Sequence, residues 1–265
     1  PMTFQTSVAT ALRLVAPLQC PDTAAAIVIV AQSLQPDLAQ GFQIDALRLR
    51  LEMERAFGGT DAMGAWDWKL AYEAGEVALV LFLRKFGRAL LARAGSLAAL
   101  MPILAKVSGL LPTHPRRSEE MERFQQFSTP LPMGLTALAA AKITHADLVL
   151  EPSAGTGLLA ILAEIAGGAL ALNELAETRA DLLRLLFPGR SVTCFDAAQI
   201  DDHLYAGVRP SVILMNPPFS AVANVDRRST EATARHLRSA LARLAMTALW
   251  RSVSMLVADV TYEPL

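Results

Sequence analysis

Asp147-Leu-Val-Leu-Glu-Pro-Ser-Ala-Gly-Thr-Gly-Leu158 is the stretch of the sequence that decides the fold. Apolar residues precede a turn with two glycines, and an apolar run follows it directly. A buried strand, a glycine turn and a helix in this order are typical of doubly wound α/β proteins, whose backbone amides approach a ligand closely at the turn. The turn alone is weak evidence, because it lacks the third glycine of Gly-x-Gly-x-x-Gly and the lysine of a phosphate loop. A purely structural turn fits it equally well.

The chain from Glu119 onward alternates short apolar runs with segments of helix length, which predicts a βαβ pattern and a mostly parallel sheet. The helices between the strands are predicted to start near Gly157, Ala176 and Thr230. The predicted strands are Leu148 to Leu150, Ala169 to Leu172, Ser191 to Phe195, Val212 to Met215 and Ser254 to Ala258.

The first 118 residues are rich in Ala, Leu and Arg, which predicts a helical domain. One helix is expected from about Asp67 to Phe86, stopped by Gly87, and another from Leu97 to Ser108. Two prolines mark the segment 111–118 as a linker. The sequence therefore predicts a helical domain over residues 1–118 and an α/β domain over 119–265.

Composition excludes several classes of protein. The chain has 265 residues, 53% of them hydrophobic, but its longest apolar runs are far shorter than the roughly 20 residues that span a bilayer. The N-terminus has no basic region followed by an apolar core, which favours a cytoplasmic location. Cys20 and Cys194 form no disulfide framework, and the four histidines lack the spacing of zinc ligands, so no metal is predicted.

Carboxylates follow two of the predicted strands at the edge where parallel sheets bind ligands. Glu174 comes about twenty residues after the glycine turn, where a carboxylate accepts hydrogen bonds from both hydroxyls of a ribose. Asp196, after the third strand, could accept a hydrogen bond from the amino group of an adenine. A helix N-cap is an equally weighted alternative for Asp196.

Asn216-Pro-Pro-Phe219, after the fourth strand, is the most informative tetrapeptide. The prolines fix the backbone, so the carbonyl of Pro217 and the amide oxygen of Asn216 offer two acceptors to one amino group. An aromatic amine is a poor nucleophile, and two acceptors on its hydrogens favour a pyramidal nitrogen that can attack a methyl group. Phe219 would stack on a base turned out of its helix.

Two stretches carry mostly basic residues. Residues 84–117 contain seven Lys or Arg and no Asp or Glu, and residues 226–251 contain six Arg against two acidic residues. Each is a candidate surface for phosphates, and a solvated helix face is an equally good interpretation of either stretch taken alone.

The glycine turn followed by Asn-Pro-Pro-Phe resembles the amino-group DNA methyltransferases, and Phe127-Ser-Thr-Pro130 resembles the Phe-Thr-Pro segment of the gamma-ordered N6-adenine enzymes. The resemblance implies that S-adenosylmethionine is the cofactor and that a flipped-out adenine in DNA is the substrate. By the same resemblance the cofactor-binding residues are Phe127, Ser128, Thr129, Pro130, Glu151, Ser153, Ala154, Gly155, Gly157, Glu174 and Asp196. The catalytic residues it implies are Asn216, Pro217, Pro218 and Phe219.

The N-terminal part adds a looser resemblance. Trp66-Asp-Trp-Lys-Leu-Ala-Tyr72 and Leu81-Phe-Leu-Arg-Lys-Phe86-Gly look similar to methyltransferase regions joined to strawberry notch-like helicases. A helix core is the favoured alternative for these aromatic residues. A complete enzyme of the class would continue past the fifth strand with a β-hairpin. We therefore expect a Rossmann-like S-adenosylmethionine-dependent methyltransferase core, truncated after the fifth strand, in a fragment of a longer protein with a helicase or specificity module.

Three further hypotheses accompany DNA adenine-N6 methylation. RNA adenine is the nearest rival substrate. Methyltransferases of the glutamine side-chain amide share the tetrapeptide, although they more often have Tyr at its fourth position. A non-catalytic docking or cofactor-sensing module is the third hypothesis.

Overall fold

The computed structural model describes residues 22–112, 129–216, 228–244 and 253–255. Within them, one parallel sheet carries helices on both faces, and helices from the N-terminal part of the chain form a further layer. Residues 113–118 of the predicted linker lie outside the described residues.

The sheet has the strand order β3-β2-β1-β4-β5, and each neighbouring pair is parallel. This order reverses beside β1, at the switch point where doubly wound sheets bind ligands. The strands are β1 (Leu148–Glu151), β2 (Ala169–Asn173), β3 (Ser191–Thr193), β4 (Val212–Met215) and β5 (Val253–Met255). The Rossmann-like α/β fold is thus confirmed. The first four strands begin at the predicted residues, and β5 begins one residue earlier than predicted.

Alternate strand residues enter two hydrophobic clusters on opposite faces of the sheet. Val149 and Val212 belong to the larger cluster, whereas Leu150 and Ile213 belong to the smaller one. Successive side chains of a strand point to opposite faces, so both faces of β1 and β4 are buried. This explains why these strands appear in the sequence as continuous apolar runs.

Helices cover both faces. They are α1 (Thr23–Gln40), α2 (Ala46–Phe57), α3 (Trp68–Ala94), α4 (Leu97–Ser108), α5 (Leu131–Ala141), α6 (Leu158–Ile165), α7 (Glu177–Leu186), α8 (Ile200–His203) and α9 (Arg228–Ala242). The helices α5, α6 and α7 contribute to the larger cluster together with α1 and α3, and α8 and α9 contribute to the smaller one. Among the described residues, no helix is both long and apolar enough to cross a bilayer.

Helix α3 is longer than the sequence predicted. The expected stop at Gly87 is wrong, because the helix continues to Ala94 and ends at Gly95, whose φ is 73°. At Gly87, α3 closely approaches α6, and a Cβ atom there would lie 2.4 Å from Cδ1 of Ile165. A glycine inside a helix costs only about 1 kcal/mol, which does not end the helix. Gly87 instead allows the close contact between α3 and α6.

The other helix predicted in the N-terminal part is confirmed at both ends. Helix α4 spans Leu97–Ser108, its N-cap Ser96 accepts a hydrogen bond from the backbone N–H of Ala99, and Gly109 follows its last residue. Ser96 thereby satisfies a donor of the first turn that has no partner within the helix.

Helices α3 and α6 run side by side in the same direction. Glu76 of α3 contacts Thr156, just before α6, and eight residues later Arg84 pairs with Glu164 near its end. Arg88 also donates to the carbonyl of Glu164, so two of the basic residues in the stretch 84–117 serve this packing. The larger hydrophobic cluster includes residues from both sides of position 118, and the proposed domain boundary stays a prediction.

Gly157 offers a test of the turn that begins α6. Its φ is 90°, and a Cβ atom there would lie 2.6 Å from the buried ring of Phe187. Gly189 has a similar φ of 78° but open space at the Cβ position. We expect Gly189→Ala to lower the free energy of unfolding by about 1–2 kcal/mol, because alanine disfavours the left-handed backbone conformation. We expect Gly157→Ala to lower it by about 1–3 kcal/mol more, because the new methyl group would also clash with Phe187. Chemical denaturation measures both, and equal losses would contradict a steric role for Phe187.

Candidate functional site

The glycine turn after β1 is held against the end of β2. The backbone N–H of Ala154 donates to the carbonyl of Asn173 at 2.9 Å, and the N–H of Gly157 donates to the carbonyl of Ala154 at 2.8 Å. Gly155 has a φ of 55°, and, apart from its chain neighbours, no described residue has an atom within 4 Å of the position of a Cβ atom there. The turn therefore leaves open space beside its backbone, as close approach of a ligand requires.

Asn173, at the end of β2, joins three strand ends. Its Nδ2 atom donates to the carbonyls of Pro152 and Phe195, both at 2.9 Å. Its Oδ1 atom accepts from Thr193 Oγ1 at 2.8 Å and from the N–H of Phe195 at 3.1 Å. The side chain is fully buried and uses both donors and both acceptor positions of its amide. The sequence analysis did not single out this residue.

Glu174 also stabilises the turn. Its Oε2 atom accepts from the backbone N–H of Gly155 at 2.8 Å, and its Oε1 atom accepts from the N–H of Ala176 at 3.1 Å. Each carboxylate oxygen retains a second acceptor position. Glu174 thus lies beside the turn as the sequence predicted, and its contact with a ribose stays a prediction.

Glu151 is the last residue of β1, and its side chain is buried with an exposed fraction of 2%. Its Oε2 atom has no hydrogen-bond partner among the described residues. Burial raises the pKa of Glu151 well above its ordinary value, the charge of Glu174 raises it further, and a backbone hydrogen bond from Ala160 lowers it. A desolvated carboxylate with an unused oxygen is expensive to keep without a donor or a cation.

Asp196 caps the short 3-10 helix Ala197–Gln199. Its Oδ1 atom accepts from the backbone N–H of Ala198 at 2.9 Å, and its side chain is about half exposed. His236 of α9 lies nearby, with its Nε2 atom 3.7 Å from Asp196 Oδ1. The capping alternative describes the geometry of Asp196, and a contact with adenine stays a prediction.

Several of the predicted site residues line one cavity at the carboxyl edge of β1 and β4. The lining comprises Thr129, Glu151, Ser153, Ala154, Gly155, Thr156, Leu158, Leu159, Arg179 and Asn216. The fold thus brings the glycine turn and the first residue of the Asn-Pro-Pro-Phe tetrapeptide to the same cavity. Pro130 is exposed at the start of α5 and is not in the lining, and neither are Gly157, Glu174 and Asp196. Phe127, Ser128, Pro217, Pro218 and Phe219 lie outside the described residues.

The sequence analysis missed the contribution of α3 to this cavity. Thr156 donates through Oγ1 to Glu76 Oε2 at 2.8 Å, and Arg179 pairs with Glu73 at 2.7 Å. Thr156 and Arg179 both line the cavity. The sequence feature that could have predicted this contact is the pair Glu73 and Glu76, one turn apart in an otherwise apolar stretch. A carboxylate that a helix buries needs a partner from another element.

Carboxylates outnumber cations around the cavity. Burial has the largest effect on the pKa of Arg179 and lowers it, but the charges of Glu73, Glu174 and Glu76, with the hydrogen bond to Glu73, raise it above its ordinary value. Glu151 adds a fourth carboxyl group, and a cation bound beside it would favour its charged form. The site therefore favours a ligand with a positive charge.

Comparisons with known proteins leave the function open. No protein-family model matches the chain, and no curated protein matches its sequence. Among solved structures, the chain is similar to a protein from Pyrococcus horikoshii, provisionally named as an RNA methyltransferase, with a TM-score of 0.41 and 22% sequence identity. The match covers 54% of this chain and 65% of that protein, so the chain spans less than two thirds of its length.

The raised pKa of Glu151 makes the free energy of unfolding depend on pH. Its pKa is raised in the folded protein, so the unfolded chain releases this proton at a lower pH than the folded protein does. The contribution of Glu151 to the free energy of unfolding is therefore fully present below its ordinary pKa of 4.5. This contribution is lost as the pH rises toward the pKa of Glu151 in the folded protein. We expect Glu151→Gln to gain stability relative to the ligand-free wild type as pH rises above that value, as measured by chemical denaturation at several pH values. A stability difference that does not change with pH would contradict the raised pKa.

Proposed function

We propose that this protein is an S-adenosylmethionine-dependent methyltransferase that acts on the N6 amine of adenine in DNA. The observation that carries the proposal is the Glu151 carboxylate, buried with an unpartnered oxygen in a cavity that Asn216 also lines. The cofactor fits this carboxyl group, because its amino-acid end carries an ammonium group that donates hydrogen bonds. That group would donate to Glu151 Oε2 and offset the desolvation of the carboxylate.

The remaining cofactor contacts are proposed from position. Glu174 would accept hydrogen bonds from the ribose hydroxyls with its free acceptor positions, and Asp196 would accept from the adenine amino group. Ser153, Ala154 and Gly155 would line the amino-acid end, together with the Phe127-Ser-Thr-Pro130 segment. Thr129, the member of that segment found in the cavity lining, supports this placement.

Asn216 would orient the amine that receives the methyl group. It follows β4, directly beside β1, so its amide lies at the same sheet edge as the glycine turn. Its amide oxygen and the carbonyl of Pro217 would accept the two hydrogens of the amine, and Phe219 would stack on the base. When bound, the cofactor supplies a methyl group on a sulfonium, which is the electrophile that such an amine attacks.

DNA is the finer part of the proposal. The Phe127-Ser-Thr-Pro130 segment resembles the DNA enzymes, and the basic residues of the stretches 84–117 and 226–251 suit a phosphate backbone. RNA adenine is the alternative with the same site chemistry. A helicase or specificity module in the same longer protein would account for selection of the target sequence.

Two variants separate catalysis from cofactor binding. We expect Asn216→Ala to abolish methyl transfer while cofactor affinity changes by no more than a few-fold, since Asn216 orients the amine. We expect Glu174→Gln to weaken cofactor binding by about 1–1.5 kcal/mol for each hydrogen bond to the ribose, which is the difference between a charge-assisted bond and a neutral one. Calorimetric titration and transfer of a labelled methyl group measure the two effects. Loss of cofactor binding in Asn216→Ala would contradict its assignment.

A substrate panel tests the class of acceptor. We expect transfer of a labelled methyl group from S-adenosylmethionine to adenine in DNA, with little transfer to RNA or to a peptide containing glutamine. DNA in which every adenine already carries an N6-methyl group is the matched control and should accept none. Transfer to RNA alone would replace DNA with the rival substrate. Cofactor binding without transfer to any acceptor would instead support the non-catalytic module.

A further inference from the structure

Arg179 is a buried cation in the wall of the cavity. It lies in the first turn of α7, five residues after Glu174, and its exposed fraction is 7%. It lines the same cavity as Glu151 and Asn216. Arginine is rarely buried to this degree without a partner, so the contacts of its guanidinium show what holds it there.

Glu73 of α3 holds one edge of this guanidinium. The Nε atom of Arg179 donates a hydrogen bond to Glu73 Oε1 at 2.7 Å, across 106 residues of sequence, and the Nη2 atom lies 2.7 Å from the same oxygen as an ion pair. The exposed fractions of the two side chains are 9% and 5%. Among the described residues no acceptor is hydrogen-bonded to the Nη1 atom, so this edge of the guanidinium can bind a further acceptor.

Arg179 gives the cavity a cationic donor, and Glu151 gives it a carboxyl oxygen that can accept a hydrogen bond. The amino-acid end of S-adenosylmethionine carries the complementary pair, an ammonium and a carboxylate. A planar guanidinium is well suited to a carboxylate, because its N–H groups match the two oxygens. The free oxygen of Glu151 suits the ammonium in the same way.

We infer that Arg179 binds the carboxylate of the cofactor's amino-acid end and that Glu73 of α3 is the residue that positions it. The inference rests on the proposed function, since it requires that the cofactor binds in this cavity. On this inference the N-terminal helical layer contributes to the cofactor site through Glu73, which orients Arg179 without touching the cofactor.

Decarboxylated S-adenosylmethionine is the probe, because it keeps the ammonium and the sulfonium and lacks only the carboxylate. We expect wild type to bind S-adenosylmethionine about 10–100-fold more tightly than the decarboxylated form, the range for a charge-assisted pair. Arg179→Met should lose that preference, with about 10–100-fold weaker binding of S-adenosylmethionine and little change for the decarboxylated form. Glu151→Gln should weaken binding of both forms, because both carry the ammonium.

Two further variants keep the test interpretable. Arg179→Met leaves Glu73 buried without its partner, so the double variant Glu73→Met with Arg179→Met removes both charges and should show the same loss of preference. Arg184→Met is the matched control, since Arg184 lies on the same helix, pairs with Asp181 and is exposed. It should leave both affinities unchanged. Glu73→Gln should reduce the preference partially, because a neutral amide still accepts from Arg179.

The outcomes separate the inference from the proposed function. A wild type that binds both forms equally, or an Arg179→Met variant that weakens both equally, overturns the role of Arg179 while leaving the cofactor in place. A wild type that binds neither form overturns the proposed function and the inference with it. Binding is read by calorimetry, so neither result depends on catalytic turnover.

Discussion

Four hydrogen bonds converge on the side-chain amide of Asn173, and the geometry of the sheet edge depends on them. The amide joins the turn after β1 to the residues that follow β3, from a position at the end of β2. It is fully buried, so any of these groups left without a partner would cost about 1–3 kcal/mol. The turn therefore has little freedom to move away from β2. Its fixed position is what allows Glu174, the next residue, to reach the N–H of Gly155.

A rigid edge gives Glu151 its chemical character. If the turn could open, water would solvate this carboxylate and its pKa would approach the ordinary value. Because the turn is held, the side chain stays desolvated beside the charge of Glu174, and its pKa is raised. An acceptor that is already oriented and dry binds a cationic donor more strongly than one that must first lose water. The raised pKa of Glu151 and its fit to an ammonium group thus have one physical origin.

Local sequence patterns were sufficient to predict the strands and the glycine turn, because a strand and a turn are each determined largely by residues that are close in sequence. Val212–Met215 was predicted to the residue for this reason. The failure at Gly87 has a different cause: whether a glycine ends a helix or admits a neighbouring one depends on Ile165, far away in sequence. The Glu73–Arg179 pair has the same cause, since the two residues lie on α3 and α7, far apart in sequence, and meet only in the folded protein. The roles of Asn216 and of the residues after it came from chemistry in the sequence and stay predictions.

The N-terminal helices also change how the cavity is charged. The sheet and its turns place Glu151 in the cavity lining and Glu174 behind it, and α3 adds Glu73 and Glu76, which contact the lining residues Arg179 and Thr156. Burying so many like charges would be costly without Arg179, and burying Arg179 would be costly without Glu73. Each element therefore stabilises a charge that another element has buried. Contacts at both ends of α6 fix α3 in the position where this balance holds. A displacement of α3 would leave Arg179 unpaired, so the electrostatics of the cavity and the packing of the helical layer depend on the same contact.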